Sequence, residues 1–115
     1  MPYALALALT LLVEVPVYTA ALTRAAGVRP ARAAAAAVLV NLATHPLFWW
    51  SLRQFSAGPA AAYWTAFGLG EAGVWAVEAA LLGRLTGLRP GHPLPWAAAG
   101  TANAASVLAG MVLAG

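Results

Sequence analysis

Four long apolar runs constrain the fold of this chain more than any other feature of its sequence. They cover residues 3–23, 31–52, 60–83 and 94–114. A helix of about 20 residues spans the roughly 30 Å hydrocarbon core of a bilayer. Hydrophobic residues make up 63% of the chain and charged residues 8%, which excludes an ordinary soluble domain. The sequence predicts an all-α integral membrane protein, with four transmembrane helices in one domain, residues 1–115.

The arginines predict how the helices are oriented. Five of them lie in the first and third loops, one (Arg53) lies in the second, and the termini have none. The positive-inside rule therefore places loops one and three in the cytoplasm and both termini outside. Because the arginines sit at the ends of apolar runs and not along one face, we expect no nucleic-acid partner. Most of the tryptophans and tyrosines fit an aromatic belt at the two interfaces: Trp49, Trp50, Tyr63, Trp64 and Trp96.

The first apolar run predicts a retained helix and not a cleaved signal peptide. No basic segment precedes it, and Glu14 falls where a signal peptide would stay apolar.

An internal repeat relates the two halves of the chain. Residues 24–30 match residues 84–90 in the pattern Arg-x-x-Gly-x-Arg-Pro at an offset of 60, and Asn41-x-x-Thr44 matches Asn103-x-x-Ser106 at an offset of 62. The pattern predicts two hairpins of the same orientation, related by an axis along the membrane normal. The alternative is that two short hairpins with Arg-Pro turns look alike because they obey the same topology rules.

Three glutamates inside the apolar runs are the features that most need an explanation. Glu14 lies in the first run, and Glu71 and Glu78 lie two helical turns apart in the third. A charged side chain at the centre of a bilayer costs about 2.5–3.5 kcal/mol on insertion scales. Another group must therefore compensate for the burial of these acids.

Polar side chains from every helix are expected near the same membrane depth. Counted from the arginine-bearing loops at 1.5 Å per residue, Glu14, Asn41 and Asn103 lie almost level. Glu71 lies about one turn farther out, and Glu78 about one turn nearer the cytoplasm. Oxygen ligands suit protons and hard cations. We therefore predict a midplane binding or coupling site that comprises Glu14, Asn41, Thr44, Glu71, Glu78, Asn103 and Ser106.

Two prolines and a histidine extend this prediction. Pro16 and Pro46 cannot donate to the carbonyls four residues earlier, so we expect those freed oxygens to add to the site. His45 is a candidate metal ligand together with Glu14, and the alternative is that it only packs between helices. No bound cofactor is expected.

A simpler interpretation treats the polar groups as packing elements. Asn, Ser and Thr in membrane helices often only bond neighbouring helices. Tyr18, one turn after Glu14, is a candidate partner for that acid, and Arg24 or Arg84 is within reach of Glu78 by snorkelling.

The lone helix-one glutamate at position 14 and the four short helices resemble the small multidrug resistance transporters. The segments Ala62-Tyr63-Trp64 and Gly68-x-Gly70 echo that family. The resemblance implies a dimer in which Glu14 exchanges protons for cationic drugs near Tyr63 and Trp64. Glu71 and Glu78 have no counterpart there. The full pattern also resembles small four-helix inner-membrane proteins of bacteria, which implies a bacterial inner-membrane location and no particular activity.

Three functions remain open on sequence alone. The first is a transporter, working as a homo-oligomer in the lipid bilayer, that couples a proton or small cation to Glu14 and Glu71. The second is a structural or assembly subunit whose glutamates pair with basic residues of another membrane protein. The third is an intramembrane enzyme, which is disfavoured because one histidine lies within the spans and no nucleophile–His–acid set is visible.

Overall fold

Four consecutive α-helices make up the fold. The computed structural model describes residues 2–114, so Met1 and Gly115 lie outside the described part. The helices are α1 (Tyr3–Ala26), α2 (Pro30–Arg53), α3 (Ala60–Leu85) and α4 (Pro93–Ala114). Each is long and apolar enough to span a membrane. The predicted all-helical architecture is thus confirmed for these residues, and the observed helix ends differ from the predicted ones by at most three residues.

α1 and α3 extend past their predicted ends and are followed closely by a glycine of positive φ. α1 continues through Arg24 and Ala26 until Gly27, which adopts φ 68° and donates its N–H to Thr23 O. Gly87, with φ 73°, turns the chain just after α3 in the same way. Positive φ is accessible to glycine at little cost, which makes it the usual residue at such a helix end.

Each helix packs against two neighbours, so the four form a ring. α1 contacts α2 and α4, and α3 contacts the same two helices. α1 therefore lies opposite α3 across the bundle, and α2 lies opposite α4. This arrangement turns one face of every helix toward a common centre.

Small side chains close one half of the bundle. We call the end that carries loops one and three the arginine end. In the half next to it, alanines of α2 and α4 pack around Leu22 and Leu82, both fully buried: Ala33, Ala36, Ala37, Ala98, Ala99 and Ala102. Alanine lets helix backbones approach closely in a membrane. The bundle is consequently tight at the arginine end, and the cavity described below lies in the other half.

Candidate binding site in the bundle core

A cavity of about 770 Å³ occupies the half of the bundle away from the arginine end. We call it the central cavity. It extends from Glu78 near the middle of the bundle to Leu52 and Tyr63 near the far ends of α2 and α3, and all four helices line it. The structure places all seven predicted coupling residues, together with His45, on its wall: Glu14, Asn41, Thr44, His45, Glu71, Glu78, Asn103 and Ser106.

Glu78 lies at the inner end of the cavity and is held by three hydrogen-bond donors. Its Oε1 accepts from Tyr18 Oη at 2.6 Å and from Asn103 Nδ2 at 2.9 Å. Its Oε2 lies 2.6 Å from Thr44 Oγ1. The side chain is 1% exposed, so these neutral groups replace the water that a carboxylate would otherwise need.

Glu14 is as deeply buried as Glu78 but has fewer hydrogen-bond partners. Within residues 2–114, its Oε2 forms one hydrogen bond, with Ser106 Oγ at 2.6 Å. Its Oε1 is buried and has no hydrogen-bond partner in that part of the chain. Leaving a buried acceptor unbonded costs about 1–3 kcal/mol, and more for a charged group. Glu14 therefore keeps one buried carboxyl oxygen without a partner, in a residue that lines the central cavity.

Both acids contact a hydroxyl group that can accommodate either protonation state. Thr44 Oγ1 lies 2.9 Å from Val40 O as well as 2.6 Å from Glu78, and Ser106 Oγ lies 3.1 Å from Asn103 O as well as 2.6 Å from Glu14. A hydroxyl has one hydrogen to donate and two lone pairs to accept with. Facing a carboxylate it donates to the acid, and facing a carboxylic acid it accepts and donates to the helix carbonyl. Proton gain or loss then requires only a rotation of the hydroxyl.

The two asparagines are anchored to their own helices. Asn41 Nδ2 donates to Ala37 O, and Asn103 Nδ2 donates to Ala99 O, both at 2.8 Å. Asn103 also joins the two acids, since its amide bonds Glu78 and its backbone carbonyl accepts from Ser106. Glu71 is partly buried on the same wall, nearer the opening.

Aromatic rings surround the outer part of the cavity. On α2 and α3 a chain of contacts joins Phe48 to Phe67 at 5.6 Å between ring centroids, and Phe67 to Trp64 at 5.5 Å. Three rings contact one another on the α1–α2 side, those of Tyr3, His45 and Trp49. The distances between their ring centroids are 5.6 to 6.2 Å. His45 thus packs between aromatic rings, while its Nδ1 is buried without a partner within residues 2–114.

The family resemblance had placed Tyr63 and Trp64 near a binding region, but the sequence interpretation assigned Trp49 to the membrane interface and did not name Phe48 or Phe67. Trp49, Tyr63 and Trp64 line the cavity, although Trp64 is 59% exposed, and Trp50, which is 63% exposed, does not line it. The signal was present in the spacing of α3. Tyr63, Phe67 and Glu71 recur at four-residue intervals and therefore share one helix face.

Two predicted partnerships are wrong. Tyr18 bonds Glu78 and not Glu14, because its long side chain extends across the bundle from α1 to α3. Glu78 is not reached by Arg24 or Arg84, since its oxygens are already occupied by Tyr18, Thr44 and Asn103 and those arginines are exposed.

The prolines also lie elsewhere than expected. Pro16 and Pro46 are exposed, and so are Leu12 (73%) and Leu42 (47%), whose carbonyls they leave without a donor. None of these four residues lines the central cavity. The freed carbonyls therefore lie on the outer side of their helices and do not add to the site.

The acidic and imidazole groups on the cavity wall are too scattered to form a metal centre, but each one is able to bind a proton or a cation by itself. Within residues 2–114, no three His, Cys, Asp or Glu side chains converge closely enough to hold a metal ion. His45 and Glu14, the candidate metal ligands, both line the cavity but at different depths. The chain matches no protein-family model, no curated protein and no solved structure.

Proposed function

We propose that this chain is a small multi-pass membrane transporter that binds a cation at Glu14 in exchange for a proton. One observation carries the proposal. Glu14 is 1% exposed, has a single hydroxyl partner, and leaves one carboxyl oxygen unbonded in a chain whose central cavity it lines. A buried carboxyl group with one hydrogen-bond partner is stable when it is protonated or when a cation lies beside its ionised form. It does not bind the proton and the cation at the same time.

The charge of the lining supports a cation as the exchanged species. Three glutamates line the central cavity, and none of its lining residues is an arginine or lysine. Charged groups in a low-dielectric cavity act over longer distances than they do in water. The cavity therefore favours positive ligands, and binding one releases the proton that kept Glu14 neutral.

The hydrogen bonds between the two hairpins supply a means of coupling. The bonds from Tyr18 and Thr44 to Glu78, and from Ser106 to Glu14, each join α1 or α2 to α3 or α4. A change of charge on either acid alters the bonds that hold the two hairpins together at mid-depth. Binding inside the cavity is thereby linked to the packing of the bundle.

The subunit hypothesis fits this geometry less well. It needs acids that face outward, toward the basic residues of another protein. Glu14 and Glu78 instead point into the bundle and are 1% exposed. Glu71, the least buried of the three, also lines the central cavity. The placement of all three acids therefore favours a role inside the bundle.

We further propose that the protein resides in the inner membrane of a bacterium, with both termini outside. Five of the six arginines lie in loops one and three, which supports this orientation. The half of the bundle that holds the central cavity then lies toward the outside. A homo-oligomer stays a prediction from the sequence, because the central cavity of about 770 Å³ lies within a single chain. Membership of the small multidrug resistance transporters stays a prediction.

The parallel repeat belongs to the same proposal, and local geometry supports it. Gly27 and Gly87, 60 residues apart, both adopt positive φ after the first helix of their hairpin. Asn41 and Asn103, 62 residues apart, make the same bond to the carbonyl four residues earlier. Two hairpins of one orientation pack here around a shared site.

Cation-driven proton movement in proteoliposomes tests the function. Vesicles that contain a pH dye receive inward gradients of sodium, magnesium, methylammonium or tetraphenylphosphonium. The wild type is expected to drive proton efflux with at least one of these cations, and Glu14→Gln none, at equal incorporation. Thr101→Val is the control, because Thr101 is exposed and bonds only its own helix through Ala97 O. Equal proton movement in the wild type and Glu14→Gln contradicts the proposal.

A further inference from the structure

The side chain of Glu78 joins all four helices of the bundle. It belongs to α3, and its carboxyl group bonds one side chain from each of the other three helices: Tyr18 of α1, Thr44 of α2 and Asn103 of α4. It lies where the alanine-packed half of the bundle meets the central cavity. The bonds of this one carboxyl group therefore hold the helices together at the inner end of the cavity.

The hydrogen-bond partners of Glu78 fit a carboxylic acid better than a carboxylate. Oε1 accepts from Tyr18 Oη and from Asn103 Nδ2, which uses both lone pairs of a carbonyl oxygen. The remaining contact joins Oε2 to Thr44 Oγ1 at 2.6 Å. If Oε2 is protonated it donates to Thr44, and every polar atom of the acid has a partner. A carboxylate has about four lone-pair sites for these three partners, so one site would stay empty in a side chain that is 1% exposed.

Thr44 distinguishes the two protonation states, because its hydroxyl group has a single hydrogen. Its Oγ1 lies 2.9 Å from Val40 O and 2.6 Å from Glu78 Oε2, and both are hydrogen-bond distances. Val40 O is a carbonyl oxygen and has no hydrogen to donate. When Thr44 donates to Val40 O, the hydrogen between Thr44 and Glu78 must come from Glu78. The hydroxyl accommodates either state, but only the protonated acid makes both contacts hydrogen bonds.

No arginine or lysine is available to hold Glu78 in its ionised form. All six arginines are exposed, none of them lines the central cavity, and the chain has no lysine. His45 lines the same cavity but packs against the rings of Tyr3 and Trp49. A buried carboxylate without a positive partner is costly, and an acid avoids that cost when it keeps its proton.

We infer that Glu78 holds a resident proton on Oε2, stays neutral while Glu14 exchanges its own proton, and is the positioning residue that fixes the inner end of the central cavity. This goes beyond the proposed function, which assigns the exchange to Glu14 and leaves the protonation of Glu78 open. The two acids differ in their free atoms. Glu14 Oε1 has no partner within residues 2–114, whereas both oxygens of Glu78 are occupied, so a cation finds no free oxygen there.

Infrared spectroscopy tests for the resident proton, because the carbonyl stretch of a carboxylic acid is separate from the bands of a carboxylate. Glu14, Glu71 and Glu78 are the only acidic side chains in the sequence. In the double variant Glu14→Gln/Glu71→Gln, a carboxylic-acid band therefore comes from Glu78 or from the C-terminal carboxyl group. The triple variant, which also carries Glu78→Gln, is the matched control for the C-terminal group. A detergent without ester groups keeps that spectral region clear.

The double variant is expected to show the carboxylic-acid band at neutral pH, and the triple variant is expected to lack it. The band should remain when the cations of the proteoliposome experiment are added, because a resident proton does not exchange. A double variant without the band, or with a band that a cation removes, overturns the inference. If the double variant does not fold, the wild type is compared with Glu78→Gln, and equal bands in these two proteins overturn the inference in the same way.

Two substitutions at Glu78 test its positioning role. Glutamine imitates the neutral acid, since its carbonyl oxygen accepts from Tyr18 and Asn103 and its amide group donates to Thr44. Glu78→Gln should therefore unfold like the wild type and retain cation-driven proton movement. Glu78→Met keeps the length of the side chain without these bonds and should unfold at a lower temperature. Loss of proton movement in a stably folded Glu78→Gln, or equal unfolding of Glu78→Met and the wild type, overturns the inference.

This inference and the proposed function fail in different ways. If Glu14 exchanges no proton, Glu14→Gln moves protons like the wild type, and the infrared band of Glu78 is unaffected. If Glu78 is ionised or exchanges its proton, its band is absent or responds to a cation, whatever the proteoliposomes show for Glu14→Gln.

Discussion

Tyr18 and Glu78 are 60 residues apart in the chain and are joined across the bundle by a 2.6 Å hydrogen bond from Tyr18 Oη to Glu78 Oε1. The same offset relates the Arg-x-x-Gly-x-Arg-Pro motifs of the two halves. Corresponding positions of α1 and α3 therefore meet at the centre of the ring of helices. One position carries the donor and the other the acid, so these two positions are complementary in chemistry.

Removal of the Tyr18 hydroxyl is expected to destabilise the bundle. Tyr18→Phe keeps the ring but leaves Glu78 Oε1 with Asn103 as its remaining donor. Loss of one partner of a buried hydrogen bond costs about 1–3 kcal/mol. Thermal unfolding in detergent should show a lower midpoint for Tyr18→Phe. Tyr63→Phe, which alters a tyrosine at the cavity mouth, should unfold like the wild type, and equal midpoints in all three proteins would contradict the assignment.

Loss of the Ser106 hydroxyl is expected to weaken cation binding without loss of the fold. Ser106→Ala removes the donor that stabilises the ionised form of Glu14. Half-maximal proton release should then require a several-fold higher concentration of the same cation. Thr101→Ala, one turn away on α4, removes a hydroxyl that bonds only Ala97 O and should leave the titration unchanged. An unaltered titration in Ser106→Ala would show that this contact plays no part in binding.

Phe48 and Gly70 are expected to show strong energetic coupling. Gly70→Ala places a Cβ where Phe48 Cε1 lies at 2.5 Å, so the ring must move. The variant should unfold at a lower temperature than Gly68→Ala, whose Cβ meets nothing within 4 Å. Phe48→Ala should remove the clash, so the effect of Gly70→Ala measured in that background should be small. Additive effects of the two changes would mean that the ring does not lie on Gly70 in the membrane.

The orientation of the chain can be checked directly because it contains no cysteine. Single cysteines introduced at Ser56, between α2 and α3, and at Ala25, near the arginine end, serve as probes. A membrane-impermeant maleimide added to intact cells should label Ser56→Cys at once. Ala25→Cys should react only after the membrane is permeabilised. The reverse pattern would place the mouth of the central cavity in the cytoplasm.

The fold was largely predictable because length and hydropathy decide it. Runs of about 20 apolar residues leave the backbone few alternatives to helices in hydrocarbon, and short loops bring consecutive helices together. The same constant rise per residue predicts how far Glu14, Asn41 and Asn103 lie from the arginine end, and the structure places all three on the wall of one cavity.

Which side chains bond one another was less predictable, because the rotation of each helix about its axis is not visible in hydropathy. Tyr18 was assigned to Glu14 on the same helix, whereas it crosses the bundle to Glu78. The outward orientation of Pro16 and Pro46 was missed for the same reason. Trp49 was assigned to the interface alone because an amphipathic ring suits a membrane interface and a cavity wall equally well.

Proton release from the purified protein is the measurement that tests the central claim most directly. The protein is held in weak buffer, and sodium, magnesium, methylammonium and tetraphenylphosphonium are titrated in turn. We expect at least one of them to release protons from the wild type in a saturable manner, and the same cation to release none from Glu14→Gln. Release that is equal in both proteins, or absent from the wild type with every cation, would contradict the role of Glu14 as the exchanging group.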